Sequence, residues 1–139
     1  MRIADLYIIF QAALPDDAAF WKQMAQEERN HAAMIGGAKT AFLERGEFPT
    51  ELLTQNERAL ESTLARVKGL IKQYGKNPPS REVTFTTALE IEGAAGELHF
   101  QHAMENQTPA MPLQVFQQLN SMDKDHARRI RSYMNANEI

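Results

Sequence analysis

Apolar residues recur along this chain at helical spacing, and in two places the same polar insertion interrupts them. Residues 21–38 carry Trp21, Met24, Glu28, His31, Ile35 and Ala38, and residues 116–133 carry Phe116, Leu119, Asp123, His126, Ile130 and Tyr133. Both sets step 3, 4, 3, 4, 3, the rhythm of one buried stripe on an α-helix. A carboxylate and, three residues later, a histidine therefore stand in the middle of each stripe, where apolar side chains belong.

The rest of the chain divides into further helical segments. Ile3, Tyr7, Phe10 and Leu14 predict a short helix A that stops before Pro15, since proline disfavours helix at the residue preceding it. Helix B is expected from about Asp17 to Arg45. Gly36 and Gly37 inside it cost about 1 kcal/mol each relative to alanine, which points to a kink or a close helix contact. Gly46-Glu47-Phe48-Pro49 breaks this helix. Thr54-x-x-Glu57 has the form of a capping box and opens a crossover helix with Leu60, Leu64, Val67 and Ile71 on its stripe. Gly75-Lys76-Asn77-Pro78-Pro79 terminates it. Ser80 or Thr87 then caps helix C, whose stripe is Phe85, Leu89, Glu92, Gly96, His99 and Ala103. After a loop marked by Pro109 and Pro112, helix D runs to about Asn135. Val83-Thr84-Phe85-Thr86 is too short for a strand, so the expectation is an all-α bundle in a single domain, residues 1–139.

Composition narrows the function classes. A net charge of −3 argues against a nucleic-acid or anionic-membrane binder acting through bulk electrostatics. The absence of cysteine excludes disulfides, thiol catalysis and iron–sulfur ligation by this chain. No apolar run approaches the roughly 20 residues that span a bilayer. Met-Arg-Ile-Ala-Asp lacks the apolar core of a signal peptide, so the expected location is cytoplasmic. Lys124, Arg128, Arg129 and Arg131 are expected on a solvated face that complements the helix dipole.

The candidate chemistry lies in the stripes. An ionised carboxylate without a partner is too costly to bury in a small domain, yet Glu28, Glu92 and Asp123 all fall among Trp, Met, Leu, Ile and Phe. His31, His99 and His126 follow on the same stripes. Acids and imidazoles facing one another in a bundle core are what a divalent metal neutralises, and this donor mixture suits iron or manganese, with zinc as competitor. A single E-x-x-H arises often as a surface ion pair; two in the same apolar frame, with a third stripe carboxylate, point to a metal site.

These motifs resemble the ferritin-like di-iron carboxylate superfamily, and within it the rubrerythrin-like branch. The matching residues are Tyr7 with Phe10, Trp21-x-x-Met24-x-x-x-Glu28-x-x-His31, Ala88-Leu89-Glu90-Ile91-Glu92, His99-Phe100 and Phe116-x-x-Leu119-x-x-x-Asp123-x-x-His126. The resemblance implies a four-helix bundle of helices A to D with a helical crossover between B and C. It implies metal ligation by Glu28, His31, Glu92, Asp123 and His126, with Tyr7 and His99 placed behind the ligands. Two iron ions are the implied cofactor, with one ion, manganese or zinc as variants. Peroxide or dioxygen reduction, or ferrous oxidation, is the implied activity, with an external electron-donor protein and a homodimer. The alternative is a metal-poor bundle serving as an interaction or iron-sensing module. Two departures stand out. Counting back seven residues from Tyr7 falls one residue before Met1, so helix A lacks the family's glutamate unless translation starts earlier. Asp123 stands where glutamate is usual, one methylene shorter.

Overall fold

The computed structural model describes residues 2–47, 57–93 and 126–139, and every regular element among them is helical. In order these are α1 (Arg2–Ala13), a 3-10 turn (Pro15–Asp17), α2 (Ala18–Arg45), α3 (Glu57–Tyr74), α4 (Arg81–Glu92) and α5 (residues 126–136). The fold is all-α, as the periodicity predicts. Thr54, the expected opening of the crossover helix, lies outside the described residues, as do Gly96, His99, Ala103 and the first half of helix D.

Local chemistry accounts for the helix ends. Leu14 sits at φ −124°, ψ 82°, outside the helical region, as expected for the residue before a proline. Pro15 then begins the 3-10 turn, where its missing N–H is no loss. The 28 residues of α2 extend about 42 Å and end at Gly46, whose φ of 68° is left-handed. The Gly46 amide donates to the Leu43 carbonyl and the Glu47 amide to the Phe42 carbonyl, closing the helix in the manner that favours glycine. Of the two possible caps for α4, Ser80 is the one used: its side chain accepts from the Val83 amide.

The core is built from Leu6, Tyr7 and Phe10 of α1, Trp21, Met24 and Ala25 of α2, Val67 and Tyr74 of α3, Phe85, Ala88 and Ile91 of α4, and Ile130 of α5. Trp21 is its hub. Its ring lies 5.3 Å from Tyr7, 5.1 Å from Phe10, 5.1 Å from Phe20 and 4.7 Å from Phe85, centroid to centroid. Each such pair contributes about 0.5–1.5 kcal/mol beyond its area burial.

Three expectations are modified, two of them about stripes. On α1, Leu6 is fully buried while Ile3 and Leu14 are only partly so, because α1 packs against both α2 and α3 and needs a wider apolar face than one stripe. On α3, Val67 and Tyr74 are buried but Leu60 and Leu64 are 42% and 43% exposed, so only the C-terminal half of the stripe meets the core. Arg129, expected on a solvated face, turns inward from α5; Arg128 and Arg131 are exposed.

One buried ion pair ties the 3-10 turn to α4 and α5. Asp17, 1% exposed, accepts from Arg81 Nε and Nη2, both at 2.8 Å, and from the Tyr133 hydroxyl at 2.9 Å. The Arg81 guanidinium holds the Asp17 carboxyl below its ordinary value near 3.8, against the upward push of burial and with help from Tyr133. A depressed carboxyl pKa adds stability that is present above the ordinary range and is lost as pH falls through the folded-state pKa.

Two outcomes follow from this packing. A Cβ built at Gly36 or Gly37 meets nothing within 4 Å, so no described neighbour makes the close contact expected there. Each glycine-to-alanine change should therefore raise the unfolding free energy by about 0.5–1 kcal/mol in urea titrations, and a loss would reveal a close neighbour after all. Asp17→Asn should lower stability by about 2 kcal/mol at neutral pH. It should also flatten the decline that the natural protein shows below about pH 4.

Candidate metal centre

Glu28 and His31 lie one helical turn apart on α2, and this spacing sends both side chains to the same face. That face looks toward α5, whose first described residue is His126. The stacking is direct: the His31 and His126 rings are 5.1 Å apart and inclined by 18°. One ligand atom from each of Glu28, His31 and His126 lies within 4.8 Å of the others. His126 is 1% exposed and His31 4%, and the Glu28 side chain is 14% exposed. Glu92, at the end of α4, closes the cluster from another side, its Oε1 lying 3.8 Å from His126 Nδ1. The same Glu92 oxygen accepts a hydrogen bond from the buried Tyr7 hydroxyl of α1.

His126 sets the electrostatics. Its Nδ1 lies 2.9 Å from Glu28 Oε1, and its Nε2 lies 3.0 Å from Glu27 Oε2. A neutral imidazole carries one N–H and so donates to only one of these carboxylates; the other contact brings a lone pair against a lone pair unless a proton or a cation is shared. When Nε2–H donates to Glu27, the Nδ1 lone pair is directed at the Glu28–His31 cluster. This is the arrangement by which a carboxylate behind a histidine orients it for a metal. Two imidazoles and one carboxylate from two helices, brought together at a buried position with the Glu92 carboxylate beside His126, fit a divalent cation of the first transition row.

Glu27 is held in turn. It accepts from Arg129 Nη1 at 2.6 Å and from Gln23 Nε2 at 2.9 Å, while Arg129 Nη2 reaches the Met24 sulfur at 3.1 Å. Burial pushes the Glu27 carboxyl up, but Arg129, Gln23 and His126 outweigh it and leave the carboxyl below its ordinary value near 4.5. Glu27 is thus an anion at neutral pH, as an acceptor for both His126 and Arg129 must be.

Of the predicted site residues, Tyr7, Glu28, His31, Glu92 and His126 converge here. Asp123 and His99 lie outside the described residues. Sequence reasoning passed over Glu27 and placed Arg129 on a solvated face. Glu27 sits one residue off the α2 stripe, and Arg129 lies three residues after His126, so both signals were present: an acid beside a stripe ligand, and a cation on the face of the second histidine.

No protein-family model, curated protein or solved structure matches this chain. Among the described residues, no helix is long and apolar enough to cross a membrane.

The Glu27–Arg129 pair is half-buried and close, and a double-mutant cycle should detect it. Glu27→Ala and Arg129→Met should each destabilise the protein by about 1–2 kcal/mol in chemical denaturation. Their coupling should come to about 0.5–1.5 kcal/mol, and strict additivity would show the pair to be energetically idle.

Proposed function

We propose that this protein binds a divalent transition metal between α2, α4 and α5, with Glu28, His31, Glu92 and His126 as ligands and Asp123 as a further one. The observation that carries this reading is the approach of ligand atoms from Glu28, His31 and His126 to within 4.8 Å of one another in a buried position. The resemblance of the paired [E/D]-x-x-H stripes extends the proposal to a ferritin-like, rubrerythrin-like four-helix bundle with two iron ions, manganese or zinc being the competitors. His99 belongs to this proposal as a group behind the ligands.

Bound iron supplies a reversible change of oxidation state, which serves peroxide or dioxygen reduction or the oxidation of ferrous iron. This chain's own residues do the rest. Glu27 holds His126 in the tautomer whose Nδ1 faces the cluster. Tyr7 donates to the Glu92 oxygen that lies beside His126 and so would orient that carboxylate toward a bound ion. Trp21, Met24 and Ile130, all buried, form part of the same interior. Reducing equivalents come from an external donor protein, since the chain has no cysteine to hold an iron–sulfur or rubredoxin-type centre. A homodimer and a cytoplasmic location complete the proposal.

A second reading is a metal-poor helical interaction module. The exposure of Leu43, Leu60 and Leu64, at 54%, 42% and 43%, favours it.

Metal analysis separates the two. After anaerobic incubation with ferrous iron and desalting, about two ions per chain are expected, as for a di-iron carboxylate bundle. His31→Ala and His126→Ala should each weaken binding by at least about 10-fold. Unchanged stoichiometry and affinity in both variants, or a natural protein that takes up no metal, would overturn the metal reading in favour of the interaction module.

A further inference from the structure

The chain contains three tyrosines and one tryptophan, and two of the tyrosines flank that tryptophan. On one side Tyr7 lies 5.3 Å from Trp21, centroid to centroid. On the other, Trp21 meets Phe20 at 5.1 Å and Phe85 at 4.7 Å. These two rings meet Tyr133 at 4.2 Å and 5.5 Å, with Phe85 and Tyr133 almost parallel at 6°. Trp21 and Tyr133 are therefore bridged by two phenyl rings that each touch both, a separation short enough for rapid electron tunnelling.

The hydroxyls and the indole nitrogen are placed unequally. The Tyr7 hydroxyl donates to Glu92, and the Tyr133 hydroxyl donates to Asp17 Oδ1 at 2.9 Å. The Trp21 Nε1–H is buried and has no hydrogen-bond partner among the described residues. The series starts at a carboxylate of the candidate metal centre. It runs through Tyr7, Trp21 and Phe85, each 0% exposed, with Phe20 partly buried beside them, and ends at the half-buried Tyr133 on α5. The third tyrosine, Tyr74, meets Phe10 at 6.0 Å, and its hydroxyl meets the Thr87 hydroxyl. No carboxylate faces Tyr74 among the described residues.

We infer that Tyr7, Trp21 and Tyr133 form a relay that carries single oxidising equivalents between the Glu92 carboxylate cluster and the protein surface at Tyr133. A phenol gives up an electron readily only if its proton leaves as well, because the oxidised phenol is a strong acid. Both relay tyrosines have a carboxylate oxygen in place to take that proton; Tyr74 does not. In the inner step Tyr7 loses an electron to the oxidant and its proton to Glu92; an electron then passes from Trp21 to the Tyr7 phenoxyl as that proton returns, leaving Trp21 one-electron oxidised. In the outward step an electron passes from the Tyr133 ring to this oxidised Trp21. The Tyr133 O–H bond breaks, the proton moves to Asp17, Trp21 returns to a closed-shell indole, and Tyr133 is left as a neutral phenoxyl radical. The two guanidinium bonds from Arg81 keep Asp17 ionised and aimed, ready to accept. Trp21, with no acceptor at Nε1, keeps its proton when oxidised and so stays a strong oxidant, suited to passing the charge on. A one-electron reductant of the ascorbate class at the surface restores Tyr133, with the proton returning from Asp17.

The relay rests on the proposed redox centre only for its natural oxidant, a peroxide; its test needs neither metal nor peroxide. Laser photoionisation of the metal-free chain, with the ejected electron scavenged by nitrous oxide and the resulting hydroxyl radical by excess tert-butanol, creates the oxidised indole at Trp21, the only tryptophan. The visible band of the indolyl radical should give way to the phenoxyl band at a rate independent of protein concentration, and ascorbate should then erase the phenoxyl signal. Tyr7 is a second donor to the oxidised indole, so in a Tyr7→Phe background Tyr133→Phe should lower the phenoxyl yield by more than half, whereas Tyr74→Phe should leave it unchanged. Indole decay without phenoxyl growth in the natural protein overturns the relay with no variant required. So does a Tyr7→Phe, Tyr133→Phe protein whose phenoxyl yield matches that of Tyr7→Phe alone. A chain that binds no metal yet shows the transfer would sink the metal centre and leave the relay standing; metal binding without transfer would do the reverse.

Discussion

Glu92 and Glu28 are carboxylates in or at the edge of an interior whose core includes Trp21, Met24, Ile91 and Ile130, and the arrangement around them follows from making that burial tolerable. Each acid has acquired partners from helices other than its own. Glu92 of α4 takes the Tyr7 hydroxyl of α1 and lies beside His126 of α5. Glu28 of α2 faces the Nδ1 of the same imidazole. Because the compensating groups come from different helices, the cluster exists only when α1, α2, α4 and α5 are in register. The polar centre thus specifies the packing as well as being protected by it.

Around this centre two ion-paired carboxylates act as fixed points. Asp17, gripped by Arg81 and Tyr133, joins the 3-10 turn, the start of α4 and the end of α5. Glu27, gripped by Arg129, joins α2 to α5 and backs His126. Both pairs position a group that faces inward. Asp17 receives the Tyr133 hydroxyl, whose ring stacks on Phe85, and Glu27 receives the His126 ring nitrogen. The aromatic core between the two fixed points is hydrophobic mass, and its rings also lie close enough to communicate electronically.

The part of the site legible in the sequence was the part confined to single helices. Glu28 and His31 are one turn apart on α2, so their common face follows from helix geometry alone. The same reasoning marked Glu92 as a core position on α4 and His126 on α5, and all four side chains are buried or nearly so. The crossover stripe shows where this reasoning weakens. Leu60 and Leu64 carry the same spacing as Val67 and Ile71, yet they are exposed, because periodicity indicates which face is apolar and is silent on how far along the helix a partner extends.

By itself the sequence determined the helical class, the stops at Pro15, Gly46 and Gly75, and which acids and histidines share an apolar stripe. These depend on backbone preferences and on side chains within one or two turns of each other. Only the tertiary structure decided that Arg81 meets Asp17, that Arg129 and His126 share Glu27, and that Tyr7 reaches Glu92. Those pairs are separated by 64, 102, 99 and 85 residues. Their meeting depends on the rotation and register with which helices pack, and a charged residue beside a stripe points to solvent or to a partner according to that rotation. The local pattern is the same in both cases.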